Sequence, residues 1–232
     1  GTYSLMATSA EEEVARDFVC FGKPDATVVV ADATCLERNL NLVLQTLETT
    51  DRDVVCVNLI DEAKRKKINI DYSGLSKLLG VPVIPTIARK NKGLTELMDA
   101  VYEVANKGLV TNPIKITYDN TIEQAIKILE PKIWELVDGR INNRWVALKL
   151  LDGDPTLLKS LEKYLGFNLL EDNEMLELLD SAKKHLANNH IKPDQLRDKI
   201  VSRLVHIAED ITANTVTFEN KQYNYTDRKI DS

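Results

Sequence analysis

Asn58-Leu59-Ile60-Asp61 stands directly behind a continuous apolar run, Val54-Val55-Cys56-Val57. An Asn and an Asp three residues apart at the mouth of a buried strand have the chemistry to read a guanine base. The carboxylate accepts from the base N1–H and exocyclic amino group, and the Asn amide meets the N7 edge. Adenine offers that carboxylate no matching pair of donors and is rejected. Pro85-Thr86-Ile87-Ala88-Arg89 follows the next apolar run, where a backbone amide near Ala88 can donate to the guanine O6. The chain opens with Gly1-Thr2-Tyr3-Ser4-Leu5. With an Asp-x-x ahead of it, Gly1 would be the glycine whose amide meets a γ-phosphate, and residues 2–10 the segment that contact orders. A lone Asn-x-x-Asp is commonly only a turn or a helix cap. The order and strand-end placement of the three pieces favour a nucleotide site. A G-x-x-x-x-G-K-[ST] phosphate loop is absent from the chain, because its one Gly-Lys pair, Gly22-Lys23, is followed by Pro24.

Alternating strands and helices must position these residues. Ala26–Ala31, Val54–Val57 and Val81–Ile84 read as strands, and their unbroken hydrophobicity predicts burial on both faces, as in a parallel sheet. Helical patterns at Ser9–Cys20, Leu36–Glu48, Tyr72–Leu79 and Leu94–Asn106 separate them, giving an α/β layout with right-handed crossovers. From about Tyr118 the strand signals stop. Helices are expected at Ile122–Val137, Arg144–Leu151, Pro155–Leu165, Asn173–Asn188 and Gln195–Ala213, with starts at Asn120-Thr121 and Asp154-Pro155 and stops at Gly139 and Gly166. Trp134 and Trp145 are expected in the core with the leucines around them. The tail, Thr215 to Ser232, is polar and expected to loosen toward its end. The first strand is apolar enough to be an aggregation template at an edge. It therefore reads as a central strand whose neighbours would come from residues ahead of Gly1, so the chain reads as truncated.

Bulk properties narrow the function classes. A length of 232 residues allows one or two domains, with 44% hydrophobic and 28% charged residues. A net charge of −6 argues against a broad grip on nucleic acid, and the basic run Lys64–Lys67 reads as a solvated face. The three cysteines, odd in number and without C-x-x-C spacing, indicate reduced thiols in a cytosolic setting. No apolar stretch reaches the roughly 18 residues needed to span a bilayer. His185, His190 and His206 form no His-x-x-x-His pair and read as solvated or capping side chains. The acidic run from Glu11 to Glu13 fits the first turn of a helix. Asp32 is expected to tie the loop after the first strand.

The sequence resembles the cytosolic G domain of FeoB-type ferrous iron transporters. The resemblance is carried by Gly1–Leu5, by Val30-Ala31-Asp32-Ala33-Thr34-Cys35-Leu36-Glu37-Arg38-Asn39-Leu40, by Asn58–Lys64 and by Pro82–Lys90. It continues through Arg144-Trp145-Val146-Ala147-Leu148-Lys149-Leu150-Leu151-Asp152-Gly153-Asp154, which resembles that family's helical, dissociation-inhibitor-like domain. The segment from Asp32 to Leu40 is the most family-specific.

The resemblance implies a partial Ras-like parallel-sheet G domain over 1–110, an all-α helical domain over 111–222 and a linker toward a membrane region over 223–232. It makes Asn58 and Asp61 the base readers, Thr86, Ile87 and Ala88 the loop over the guanine, and Gly1 the γ-phosphate sensor. Tyr3, Ser4 and Met6 would lie in the second switch. Leu59 stands where most GTPases have a Lys, and Ile87 where a Ser is usual. The implied ligand is GTP or GDP with Mg²⁺ in a parent protein on the cytoplasmic face of the bacterial inner membrane. Its nucleotide state would pass through the helical domain to the protein's own transmembrane domain. The alternatives are a stand-alone GTPase of the ribosome-assembly type and a nucleotide-free helical interaction module. A homo-oligomer or domain swap is a further possibility for covering the first strand.

The groups that position and neutralise the phosphates, the phosphate loop and first switch, would lie before Gly1. This chain by itself is therefore expected to bind GTP very weakly or not at all and to hydrolyse none. Tight binding of a fluorescent GTP analogue by the purified chain would overturn that expectation.

Overall fold

A computed structural model describes residues 10–219 and resolves them into two compact units. In chain order the elements are α1 (Ala10–Phe21), β1 (Thr27–Asp32), α2 (Leu36–Leu47), β2 (Asp53–Asn58), α3 (Ile60–Arg65), β3 (Ile68–Ile70), α4 (Tyr72–Leu79), β4 (Val83–Pro85), α5 (Leu94–Ala105), α6 (Asn120–Val137), α7 (Asn143–Asp152), α8 (Pro155–Leu165), α9 (Asn173–Asn188), α10 (Pro193–Thr215) and β5 (Val216–Phe218).

One unit is built from Pro24–Leu47, Asp51–Ile114 and the residues from Val205 onward. Its three parallel strands lie in the order β1-β2-β4, with Val28 beside Val54, Asp32 beside Asn58, and Val57 beside Pro85. β2 occupies the centre, and Val54, Val55 and Val57 are fully buried there, which accounts for its unbroken apolar sequence. α2 presents Leu36, Leu40, Val43, Leu44 and Leu47 as one buried stripe at helical spacing.

β1 departs from the expected burial on both faces. Val29 and Ala31 are buried, while Val28 and Val30 are 39% and 58% exposed. Among the described residues β1 has one strand neighbour, β2, and α2 is the helix that packs on it. The strand therefore stands at the edge of the described sheet. The C-terminal segment differs too. Val216–Phe218, where no strand was expected, pairs antiparallel with β3, and the Asp71 and Glu219 amides donate to Thr215 and Lys67 carbonyls at either end. The β-branched Val216 and Thr217 suit a pleated surface, but a three-residue strand gives too short a pattern to read.

The helical unit comprises the residues up to Lys23, Glu48–Thr50 and Lys115–Leu204. α6 buries Ile122, Ala125, Ile126, Leu129, Ile133 and Val137 and packs against α7 and α9. Side-chain caps set the helix starts: Asp119, Asn142, Asp154 and Asp172 accept from the amides of Ile122, Trp145, Leu157 and Met175. The α6 start thus belongs to Asp119, one residue ahead of the expected Asn120-Thr121. Trp145 is buried against Phe21, but Trp134 is 61% exposed, because the stripe of α6 that faces its neighbours runs through Ile126, Leu129 and Ile133.

Several buried polar groups in this unit are paired across its helices. The Arg16 guanidinium, almost wholly buried, donates to Asp17, Thr156 and Ser160, joining α1 to α8. Arg144 grips Glu123 with bonds of 2.7 and 2.6 Å. The Tyr118 hydroxyl donates to Glu48, whose carboxyl burial pushes above its usual range.

Asp53, in the sheet unit, is a buried carboxyl without a partner. It is fully buried at the foot of β2 beside Thr27, and neither carboxylate oxygen has a hydrogen-bond partner. Burial, with a smaller push from Asp51, raises its pKa to about 8. Below the ordinary carboxylate pKa of about 3.9, Asp53 is protonated whether the chain is folded or not, and it incurs no penalty. As pH rises toward 8, the unfolded chain releases a proton that the native state keeps, so stability falls, and above 8 the loss is constant. Asp53→Asn is expected to flatten this dependence. The gain in urea-unfolding stability should grow from near zero at pH 4 to roughly 3–5 kcal/mol at pH 8. A gain that does not change between those pH values would refute the assignment.

Candidate functional site

The C-terminal ends of β1, β2 and β4 meet at Asp32, Asn58 and Pro85, and the loops beyond them carry the candidate residues. Ligands in open parallel sheets bind at this edge. Leu59 is left-handed, with φ 61° and ψ 32°, an uncommon conformation for a non-glycine residue. It turns the chain out of β2 and into α3, whose first turn bears Asp61 and Glu62.

Asn58 is tied to the opposite loop. Its Oδ1 accepts from the Thr86 hydroxyl at 3.1 Å and from the Ala88 backbone N–H at 3.0 Å. Thr86 is fully buried, its N–H donates to the Val57 carbonyl, and the Cys56 sulfur lies 3.3 Å from its hydroxyl. With the hydroxyl proton committed to Asn58, the thiol is the donor in that contact. Ile87 is buried and anchors the loop as an apolar plug, and its N–H and carbonyl both pair with Lys92. Gly93 closes the loop at φ +80°, where a Cβ would sit 2.3 Å from the Pro85 carbonyl oxygen. The loop from Thr86 to Lys92 is thus fixed at both ends.

The second connection is ionic. Arg89 Nη2 lies 2.7 Å from Asp61 Oδ2 and 2.9 Å from Glu62 Oε1, and Lys90 Nζ lies 3.2 Å from the same Asp61 oxygen. Arg65 also pairs with Glu62. The Arg89 hydrogen bond, followed by that of Lys90, holds the Asp61 carboxyl below the usual range. On the third loop, Asp32 Oδ1 accepts from the Thr34 amide at 2.7 Å, as expected for a residue tying that turn, and the Ala33 amide donates to the Asn58 carbonyl.

The structure therefore brings together Asn58, Asp61, Thr86, Ile87 and Ala88. Gly1, with Tyr3, Ser4 and Met6, lies outside the described residues. The Ala88 N–H, the expected donor to a base oxygen, is engaged by Asn58 in this structure. Sequence reasoning assigned nothing to Glu62 and Lys90, and gave Arg89 no charge role. The signal was present as two dipeptides of opposite sign, Asp61-Glu62 and Arg89-Lys90, on consecutive strand-end loops. Among the described residues no cluster of three or more His, Cys, Asp or Glu could hold a metal ion, and no helix is long and apolar enough to cross a membrane.

A parallel sheet with its functional loops at the strand C-termini, together with an all-helical unit, defines the class: a G-domain sheet with an appended helical domain. Residues 1–101 match the family model of ferrous iron transport protein B, and residues 118–217 match that of the FeoB cytosolic helical domain. The solved cytosolic domain of the T. maritima FeoB iron transporter in a GDP form is 30% identical, with a TM-score of 0.69 over 94% of this chain and 78% of that one. A GDP-bound mutant of the S. thermophilus FeoB G-domain is 26% identical, with a TM-score of 0.75 over 94% and 79% of the two chains. The Fe(2+) transporter FeoB of Escherichia coli is 30% identical over 236 residues, 99% of this chain and 28% of its own length. A Porphyromonas gingivalis Fe(2+) transport protein A/FeoB fusion is 37% identical over 172 residues, 72% of this chain and 20% of its own length. The chain belongs to the FeoB family, in its cytosolic G-plus-helical region. It spans between 20% and 33% of the length of the curated relatives it matches.

Because one oxygen of Asn58 satisfies two donors of the loop, Asn58→Leu should leave the Thr86 hydroxyl and Ala88 amide unpaired. A loss of about 1–2 kcal/mol in stability is expected, together with faster amide hydrogen exchange at Ala88. Unchanged exchange at Ala88 would show that the loop is held by other contacts.

Proposed function

We propose that this chain reads a guanine base at the Asn58–Asp61 turn and is the nucleotide-responsive cytosolic part of a ferrous iron transporter. The observation that carries the reading is the convergence of Asp61 and Asn58 with the Thr86–Lys92 loop at the open end of the sheet. Asp61 supplies two acceptor oxygens for the base N1–H and amino group. The loop holds Asn58 through Oδ1, leaving the Nδ2 half of that amide as the donor available to N7. Thr86, Ile87 and Ala88 shape the loop beside the base. The donor set fits guanine and opposes adenine, whose amino group and unprotonated N1 cannot satisfy a carboxylate at both positions.

The wider role follows by analogy with the relatives. Several are named Fe(2+) transporters, and the similar T. maritima structures are described as GDP and GMPPNP forms. In the whole protein GTP or GDP, with Mg²⁺ and with Gly1 near the γ-phosphate, would bias the switch segments. The helical domain, placed at 111–222 after a G domain ending near 110, would relay that bias through a linker at 223–232 to a transmembrane domain. The chain would then work at the cytoplasmic face of the bacterial inner membrane. Charge stabilisation of phosphoryl transfer requires groups that Asn58, Asp61 and the Thr86–Lys92 loop do not supply, so this chain contributes base recognition rather than hydrolysis. No observation favours the ribosome-assembly reading.

A ¹⁵N-labelled sample of the chain titrated with GMP, AMP and XMP tests the base assignment. GMP should shift the Asn58, Ile60, Asp61 and Ala88 resonances at millimolar concentration, with AMP weaker by roughly tenfold or more. Asp61→Asn should weaken GMP and favour XMP, because an amide can donate to the xanthine O2. Equal shifts from GMP and AMP would sink the reading.

A further inference from the structure

The base-reading carboxylate already has an occupant. Arg89 Nη2 donates to Asp61 Oδ2 at 2.7 Å, and Lys90 adds an ammonium at 3.2 Å to the same oxygen. A guanidinium and the Watson–Crick edge of guanine offer a carboxylate the same kind of partner, adjacent N–H donors in one plane. We propose that Arg89 is a tethered competitor of the base for Asp61, and that Glu62 is the carboxylate on which Arg89 rests when a guanine nucleotide is bound. The proposal rests on the guanine reading above and adds to it a residue that sets the affinity of the site.

Geometry supports a transfer of the side chain without disruption of the loop. Arg89 Nη2 bridges Asp61 Oδ2 and Glu62 Oε1 at 2.7 and 2.9 Å, so releasing Asp61 leaves Arg89 already bonded to Glu62. The side chain is 55% exposed and Asp61 only 18%, so the guanidinium can move into solvent while the carboxylate cannot. The loop itself is pinned by the Thr86 and Ala88 bonds to Asn58 and by the Ile87–Lys92 pairing. Opening is therefore a swing of the Arg89 side chain, accompanied by that of Lys90. Arg65 shares Glu62 and limits how strongly that carboxylate can hold Arg89.

Two consequences follow for recognition. The nucleotide-free site is electrostatically satisfied, so a base binds with its affinity reduced by the fraction of molecules in which the clasp is open. A base must also return to Asp61 the donors it displaces. Guanine does so and adenine leaves the carboxylate unpaired, while the cost of opening the clasp is common to both bases and lowers affinity without changing their ratio.

The test compares the chain with its Arg89→Gln and Glu62→Gln variants by ¹⁵N titration with GMP and AMP, with the Asp61 carboxyl followed by ¹³C as pH is lowered. Arg89→Gln should bind GMP roughly two- to fivefold more tightly, the range set by exposed ion pairs, and should raise the pH at which Asp61 protonates. Glu62→Gln should weaken GMP by a similar factor, because Arg89 loses its second carboxylate. Added salt should strengthen GMP binding to the unaltered chain relative to Arg89→Gln. Unchanged or weaker GMP binding by Arg89→Gln, in a protein that still prefers GMP to AMP, would overturn the competitor role and leave the guanine reading standing. If neither the unaltered chain nor Arg89→Gln distinguishes GMP from AMP, the guanine reading fails and the competitor role fails with it.

Discussion

One oxygen atom, Asn58 Oδ1, fixes the relation between the two loops of the candidate site. By accepting from the Thr86 hydroxyl and the Ala88 amide it joins the end of β2 to the turn beyond β4. The bond is short-range, but the residues it joins are thirty apart in sequence, and the parallel register of β2 and β4 is what brings them together. Below it, Cys56 and the Val57 carbonyl hold Thr86 in a buried position. The candidate site is therefore an extension of the sheet's hydrogen bonding rather than a group of side chains resting on it, and the geometry of both loops depends on the same few bonds.

Opposite charges on neighbouring loops give that frame its electrostatic character. Asp61 and Glu62 on the first turn of α3 face Arg89 and Lys90, and the Asp61 carboxyl is held below its usual range as a result. Such a site is not an empty receptacle. A ligand at Asp61 would have to replace existing bonds, so its binding would measure a difference between two satisfied states. The buried Asp53 at the other end of β2 is the contrasting case, a carboxyl with no partner, kept neutral by desolvation. The two ends of one strand show how burial raises an acid and pairing lowers it.

The sheet unit is also not contiguous in sequence. α10 begins in the helical unit, and its residues from Val205 onward belong to the sheet unit, where β5 closes on β3. α1 belongs to the helical unit although it precedes β1, and the Arg16 guanidinium holds it to α8 through Thr156 and Ser160. Pairings of this kind leave little trace in local pattern, because each partner satisfies only its own periodicity. Trp134 shows the same limit: an aromatic on an amphipathic helix looks like core until the facing helices decide which stripe is covered.

Sequence alone determined the order of the strands and helices apart from α3, β3 and β5, the buried centre at Val54–Val57, and the Asn58, Asp61 and Thr86–Ala88 candidates, together with their resemblance to FeoB. These are properties of period, cap and motif, written within about a dozen neighbouring residues each. Helices α4, α8 and α9 and the turn made by Asp32 came through with little change for that reason. Only the tertiary structure decided that β1 exposes Val28 and Val30, that Val216–Phe218 is a strand, that Asn58 spends its oxygen on the opposing loop, and that Arg89 and Lys90 cover Asp61. Each of these is a choice of partner across a long stretch of chain. Period and cap chemistry are local, whereas pairing is settled by which surfaces the whole fold brings within hydrogen-bonding distance.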